Sequence, residues 1–90
     1  RIYLNNQGTC VIEDPLLRRR IRIVKSGSLS TAVWNPWALT AGKMDDLGPE
    51  GWRDMVCVES ANALENQVTL VAGASHSITA TYSAEKILQD

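Results

Sequence analysis

The sequence predicts an all-β protein, an antiparallel β-sandwich or part of one. Six or seven short runs of apolar or alternating residues follow one another along the 90-residue chain. Clusters of Gly, Pro, Asn and Ser separate these runs at the spacing that is typical of sandwich strands. A chain of this length can form one small domain, but its core is limited.

The first half of the chain contains four strand candidates. Residues 1–5 and 9–13 flank a cluster of turn-forming residues and are predicted to form a hairpin. In residues 16–25, apolar residues alternate with arginines, which is typical of a strand with one solvated face. After a Ser-Gly-Ser turn, residues 29–34 are predicted to form a further strand, which ends close to a proline.

The second half of the chain begins with a connection and returns to strands. The alternation disappears over residues 37–54, which are predicted to form a long ordered connection with a little helix. Residues 55–60 are the most apolar strand candidate, and residues 67–71 and 76–82 are also predicted to be strands. A serine cap is expected to open a short final helix over residues 84–89.

Composition argues against several classes of partner. Nine Lys and Arg residues against ten Asp and Glu residues leave a formal charge of −1, so no general attraction to nucleic acid or to an anionic membrane is expected. His76 is the lone histidine and cannot build a zinc-type cluster with two cysteines, and we expect no metal and no cofactor. No segment resembles a signal peptide or a membrane span, so a cytoplasmic location is expected.

The two cysteines indicate the redox environment of the protein, and the first residues indicate whether the chain is part of a longer one. Cys10 and Cys57 each lie in an apolar run and are expected to be buried, reduced thiols. The chain lacks an initiator Met and opens directly in a strand-like run. It is therefore expected to be a fragment or an excised domain.

Four clustered arginines suggest a phosphate or nucleic-acid patch, but strand alternation explains three of them as a solvated face. They are Arg18, Arg19, Arg20 and Arg22. No aromatic stacking platform accompanies them, so the solvated face is favoured.

Glu59 is the unusual residue of the most apolar strand candidate. Alternation places Val56 and Val58 on one face, and it places Glu59 on the other face with Met55 and Cys57. Two explanations fit this pattern: a solvated glutamate at the strand end, or a carboxylate held in a cleft. Apolar walls can raise the pKa of a carboxylate toward neutrality, which suits a general base. The pattern by itself leaves both explanations open.

Three blocks of the sequence carry a resemblance to known proteins: Val-Trp-Asn-Pro-Trp at residues 33–37, Met-Val-Cys-Val-Glu at residues 55–59, and residues 1–4. They resemble segments of the hexose-6-phosphate mutarotases of the aldose 1-epimerase superfamily. The segment Val-Trp-Asn-Pro-Trp at residues 33–37 is similar to a characteristic block of that family. The segment Met-Val-Cys-Val-Glu at residues 55–59 resembles the strand that carries the family's catalytic glutamate. Residues 1–4 are similar to a segment that follows a substrate-binding aspartate in the family. Weaker similarity in residues 44–48 and 70–73 extends the resemblance over most of the chain.

The resemblance implies a fold and a reaction. The fold is a galactose-mutarotase-like super-sandwich, of which residues 1–90 would be the C-terminal fragment, within a single larger domain and without an internal boundary. The reaction interconverts the α and β anomers of a hexose 6-phosphate by general acid/base ring opening, and Glu59 is the catalytic residue that transfers to this sequence. The family's histidine, aspartate and phosphate-binding arginines would lie upstream, so the 90 residues alone are expected to be inactive.

The resemblance leaves open which other residues touch the sugar. Trp37 is a candidate substrate-binding residue, and Trp34 is a weaker candidate because alternation separates the two indoles. Asn35 is expected to order the loop through its side-chain amide. His76 is expected to be an exposed turn residue, and Cys57 lacks a group that would activate its thiol. The alternatives to an enzyme are a non-catalytic carbohydrate-binding β-sandwich and a structural sheet of an unrelated large enzyme.

Overall fold

A computed structural model describes residues 1–88 as two three-stranded antiparallel sheets joined by loops with little helix. The prediction of an all-β fold is confirmed. The six strands are β1 (Ile2–Tyr3), β2 (Cys10–Asp14), β3 (Arg19–Ser26), β4 (Ser30–Trp34), β5 (Cys57–Ala61) and β6 (Thr79–Lys86). The predicted connection between β4 and β5 contains helix α1 (Trp37–Ala41) and a 3₁₀ helix at Gly51–Asp54, and a second 3₁₀ helix follows β5 at Leu64–Asn66.

The first sheet has the order β1-β4-β5, and the second has the order β2-β3-β6. The hairpin predicted from residues 1–5 and 9–13 is wrong, because β1 pairs with β4 while β2 pairs with β3. The turn between them carries the chain from one sheet to the other. Asn5 takes a φ of 53° there, and the side chain of Asn66 both accepts a hydrogen bond from the Asn5 amide N–H (2.9 Å) and donates to the Asn5 side chain (3.0 Å).

The last strand differs most from the prediction. β6 pairs with β3 over eight residues, from Ser26 opposite Thr79 to Arg19 opposite Lys86. The predicted helix over residues 84–89 is therefore wrong through Lys86, and Gln89 lies outside the described residues. Residues 67–71 are irregular rather than a strand, because no described strand pairs with them, and β6 begins three residues later than predicted.

The two sheets meet through a small core in which polar groups are prominent. Ile23 on β3 is 3% exposed, while Ser30 and Thr31 on β4 are 0% and 3% exposed. The ammonium group of Lys25 on β3 donates hydrogen bonds to the Ser28 hydroxyl (3.1 Å), the Ser30 carbonyl (2.9 Å) and the Thr31 hydroxyl (2.7 Å). Burial lowers the pKa of Lys25 below its ordinary value. A charged side chain therefore ties β3 of one sheet to β4 of the other.

The outer face of the second sheet carries Arg20 and Arg22, whereas Arg18 precedes β3 and Arg19 lies on the opposite face with Ile21. Arg20 contacts the carboxylates of Glu13 (3.0 Å) and Glu85 (3.3 Å) on the two neighbouring strands, and Arg19 contacts Asp14 (3.0 Å). The prediction of a solvated, charged face is confirmed for Arg20 and Arg22. Such exposed pairs contribute little to stability, about 0–1 kcal/mol each.

The thiols of Cys10 and Cys57 are free, as predicted, but both are half-buried rather than buried.

Candidate functional site

Glu59 lies in the middle of β5. It is the third of the five residues of the strand, opposite Ala32 of β4, and Ala32 in turn lies opposite Ile2 of β1. The explanation that Glu59 lies at a strand end does not hold, because pairing continues to Ala61. A position at a fraying strand end no longer explains why a carboxylate follows such an apolar run.

The two faces of the first sheet differ in what covers them. One face lines a cavity of about 440 Å³ against the second sheet, and it carries Tyr3, Thr31, Val33, Val56 and Val58. Directly opposed residues of antiparallel strands share a face, and successive residues alternate. The register therefore points Glu59 away from this cavity, and the predicted separation of Val56 and Val58 from Glu59 is confirmed.

The face that presents Glu59 is largely apolar, and it is buried at Ser30 but exposed toward Trp34 in the described part of the chain. Ile2 and Trp34 on this face are 41% and 43% exposed, and Cys57, opposite Trp34, is half-buried. Glu59 is exposed, and no cation among residues 1–88 lies within ion-pairing distance of it. These side chains form an apolar surface, and the unpaired carboxylate of Glu59 lies at its edge, on the outer strand β5.

Trp37 lies beside the same sheet, at the first position of α1. Its side chain is 66% exposed, and its ring centroid is 4.4 Å from that of Trp52, at an interplanar angle of 47°. The guanidinium of Arg53 covers the Trp52 ring at 4.6 Å. The sequence predicts an ordered connection from its tryptophans, but the pairing of Trp37 with Trp52 could not be read from it.

The side-chain amide of Asn35 joins the segments around this aromatic pair. Its nitrogen donates to the backbone carbonyls of Trp52 and Met55, both at 2.7 Å, and its oxygen accepts a hydrogen bond from the Trp37 amide N–H at 2.8 Å. The prediction that Asn35 orders the loop is confirmed.

Pairing connects Trp37 to Glu59 through a short path. Trp34, which ends β4, lies opposite Cys57, and Cys57 precedes Glu59 by two residues. Trp37 follows Trp34 by three residues, across the turn that Asn35 holds. Trp37 therefore lies just beyond the end of β4, and Glu59 lies on β5, the strand that pairs with β4.

His76 is not brought to Glu59. Its predicted exposure is confirmed, but it lies in the irregular segment that follows the turn at residues 72–73, where its Nε2 is 2.7 Å from the Gly27 carbonyl and 3.2 Å from the Asn62 amide nitrogen. Residues 1–88 contain no group of three or more His, Cys, Asp or Glu side chains that could hold a metal ion. None of the helices described here is long and apolar enough to cross a membrane.

Comparison with known proteins identifies relatives over most of the chain. The model of the family "Aldose 1-epimerase" matches residues 1–83. Proteins named "Putative glucose-6-phosphate 1-epimerase" from Escherichia coli strain K12 and Salmonella typhimurium are 39% and 36% identical over 67 residues, or 74% of this chain. A protein of the same name from Cenchrus ciliaris is 34% identical over 73 residues, or 81% of this chain. No solved structure matches this chain.

The chain spans less than a quarter of the length of these relatives, 23% of the two bacterial proteins and 22% of the plant protein. The match removes the alternative of a structural sheet from an unrelated enzyme. It agrees with the resemblance that the blocks at residues 33–37 and 55–59 carry. With 83 of its 90 residues covered by the family model, this chain belongs to the aldose 1-epimerase family of isomerases.

Proposed function

We propose that the full-length protein interconverts the α and β anomers of a hexose 6-phosphate, and that Glu59 exchanges the proton of the anomeric hydroxyl. The placement of Glu59 carries the proposal: an exposed, unpaired carboxylate in the middle of β5, on the face that also carries the exposed side chains of Ile2 and Trp34. Membership of the family and the names of the three relatives support the class of reaction and the substrate.

The proposed reaction moves only protons and one ring bond. The Glu59 carboxylate takes the proton from the C1 hydroxyl while an acid gives a proton to the ring oxygen, and the bond between C1 and the ring oxygen breaks to give the open-chain aldehyde. Rotation about the C1–C2 bond and the reverse proton transfers then close the ring as the other anomer. General acid/base catalysis suffices for these steps, so the proposal includes no cofactor.

The remainder of the site belongs, in this proposal, to the rest of a longer chain. Residues 1–90 would form the C-terminal part of a larger sandwich domain, and upstream His, Asp and Arg residues would supply the acid, a sugar contact and the phosphate contacts. Each proton-transfer partner contributes roughly 10²–10⁴-fold to the rate. The 90 residues alone are therefore expected to be inactive.

Trp37 is the proposed sugar-binding residue. Its indole is exposed and braced by Trp52, so it offers a rigid apolar surface to the C–H face of a pyranose. The free thiols of Cys10 and Cys57 favour a reducing compartment, and the proposal places the protein in the cytoplasm. It includes neither nucleic acid nor a membrane as partner.

The proposal is tested by exchange NMR of glucose 6-phosphate with the full-length protein. Glu59→Gln keeps the size and polarity of the side chain but removes the base, and the rate of anomer exchange should fall by roughly 10²-fold or more. Glu65→Gln, in the 3₁₀ helix beyond β5, is the matched control and should retain the rate. Undiminished exchange in the Glu59 variant would remove this residue from the mechanism.

A non-catalytic carbohydrate-binding sandwich is the second candidate, and the exposed indole of Trp37, packed on Trp52, favours it. The same NMR experiment separates the two functions. A binding module broadens or shifts the sugar resonances without accelerating exchange between the anomers, even in the unaltered protein.

A further inference from the structure

One side chain joins the two halves of the proposed sugar site. The Asn35 amide uses its oxygen for the Trp37 N–H and its nitrogen for the carbonyls of Trp52 and Met55. An amide rotated by 180° would direct its oxygen at two carbonyl oxygens, so the three contacts define one orientation. No other residue type of this size offers an acceptor and two donors together.

The segments that Asn35 holds do not follow one another in the chain. Trp37 opens α1, Trp52 lies in the 3₁₀ helix at Gly51–Asp54, and Met55 leads into β5. Trp37 also has a φ of 64°, a left-handed conformation that is unusual for a bulky residue and that persists only when neighbouring contacts hold it. The hydrogen bond from its N–H to Asn35 is such a contact.

We propose that Asn35 is a positioning residue for sugar binding, which sets the Trp37–Trp52 pair against the strand that carries Glu59. This inference rests on the proposed function. Asn35 acts through Trp37 and does not itself touch the sugar. Five residue pairs between β4 and β5 hold Glu59, and Asn35 contacts this strand pair only near one end, so loss of the Asn35 contacts should weaken binding more than the chemical step.

The chain offers a matched control at the other end of the same strand pair. The Asn62 oxygen accepts a hydrogen bond from the Leu29 N–H (2.8 Å), and its nitrogen donates to the Gly27 carbonyl (2.8 Å). Asn35→Asp and Asn62→Asp therefore make the same chemical change. Each keeps an acceptor for a backbone N–H, and each replaces the amide donor with a carboxylate oxygen; the donor contacts two carbonyls in Asn35, and the Gly27 carbonyl and His76 Nε2 in Asn62.

Two measurements on the full-length protein test the proposal. Circular dichroism reports the relative orientation of coupled indoles, and Trp37→Phe identifies the signal of the 4.4 Å pair. The circular dichroism signal that arises from the coupled Trp37 and Trp52 indoles, here called the couplet, should disappear in Asn35→Asp and persist in Asn62→Asp. The KM for glucose 6-phosphate should rise about tenfold in Asn35→Asp with kcat within about threefold, the scale of one or two lost hydrogen bonds.

A double-mutant cycle separates positioning from general damage to the fold. In a Trp37→Ala background, Asn35→Asp should raise KM no further, because the residue through which it acts is gone. An unchanged couplet in Asn35→Asp, or an additive effect on KM in the double variant, would overturn the positioning role. An unaltered protein that accelerates no anomer exchange would overturn the proposed function instead, and the couplet would still decide whether Asn35 sets the indole pair.

Discussion

Replacement of Thr31 by Val should destabilise the protein although it preserves the shape of the side chain. Thr31 is 3% exposed, and its hydroxyl accepts a hydrogen bond from the Lys25 ammonium (2.7 Å) and donates one to the Asn6 side chain (3.0 Å). Val fills the same space but offers neither contact. In this variant the Lys25 ammonium keeps two hydrogen-bond partners, the Ser28 hydroxyl and the Ser30 carbonyl, so it loses only part of its hydrogen bonding.

The expected magnitude follows from the two contacts. A hydrogen bond to a charged group contributes about 1.5–3 kcal/mol, and a neutral one contributes about 1 kcal/mol. Thr31→Val should therefore lower the free energy of unfolding by about 2–4 kcal/mol, a large part of the roughly 5–15 kcal/mol that is typical of a folded protein.

Urea unfolding of the full-length protein, followed by circular dichroism, measures the effect. Thr79→Val is the control, because Thr79 is an exposed residue at the start of β6 and the same substitution there should change stability by less than about 0.5 kcal/mol. Thr31→Val combined with Lys25→Met should cost less than the sum of the two single changes, because each removes the other's partner. Equal unfolding curves for Thr31→Val and Thr79→Val would refute the role of this network.

The same network predicts a dependence on pH. Burial lowers the pKa of Lys25 below its ordinary value of 10.5, so between the two values the unfolded chain binds more protons than the folded one. The contribution of Lys25 to stability should therefore increase as the pH rises through that window toward 10.5. Lys25→Met should remove this increase.

Two further predictions concern turns. Gly27→Ala should lower the free energy of unfolding by about 3 kcal/mol or more, because a Cβ there overlaps the Ser77 carbonyl and the residue has a φ of 78°. Gly48 has a φ of 80° but open space around it, so Gly48→Ala should lower the free energy of unfolding by only about 1–2 kcal/mol in the same assay. Similar losses for the two would contradict the steric argument. The pKa of Asp14 is lowered by a hydrogen bond from the Leu17 N–H and by the neighbouring Arg19 guanidinium. The contribution of Asp14 to folding stability is therefore fully present above pH 3.8 and is lost as the pH falls through its folded-state pKa. Asp14→Asn should make the loss of stability in acid less steep when unfolding is followed by circular dichroism, and an unchanged acid transition would contradict this.

Local pattern predicted the strands better than their partners. Alternation located β2 through β5 to within a few residues, since it records which side chains face a core. It could not show that the turn at Asn5 sends the chain into the other sheet. The segment Ala-Glu-Lys-Ile-Leu after Ser83 contains good helix formers, yet eight residues of pairing with β3 override that local preference.

The site could be predicted as residues but not as an arrangement. Sequence directs attention to Glu59 and Trp37, and alternation correctly assigns Glu59 to the face opposite Val58. The packing of Trp52 on Trp37 and the hydrogen bonds of the Asn35 side chain join segments that are more than ten residues apart in the chain. Such contacts produce no periodic pattern in the sequence, so they are visible only in the three-dimensional structure.

The direction of Glu59 depends on the register between β4 and β5, and several features select that register. A slip of one residue would turn Glu59 toward the second sheet, onto the half-buried face of Val58, and would place an unpaired carboxylate among the apolar side chains that line the cavity, which is unfavourable. The Asn35 side chain holds the Met55 carbonyl at one end of the strand pair, and the Asn62 side chain binds the N–H that directly precedes β4 at the other end. The carboxylate proposed for the chemistry thus also disfavours the competing register. A glutamine at this position keeps that preference because an unpaired amide is also costly to bury, which is why Glu59→Gln separates loss of the base from loss of the fold.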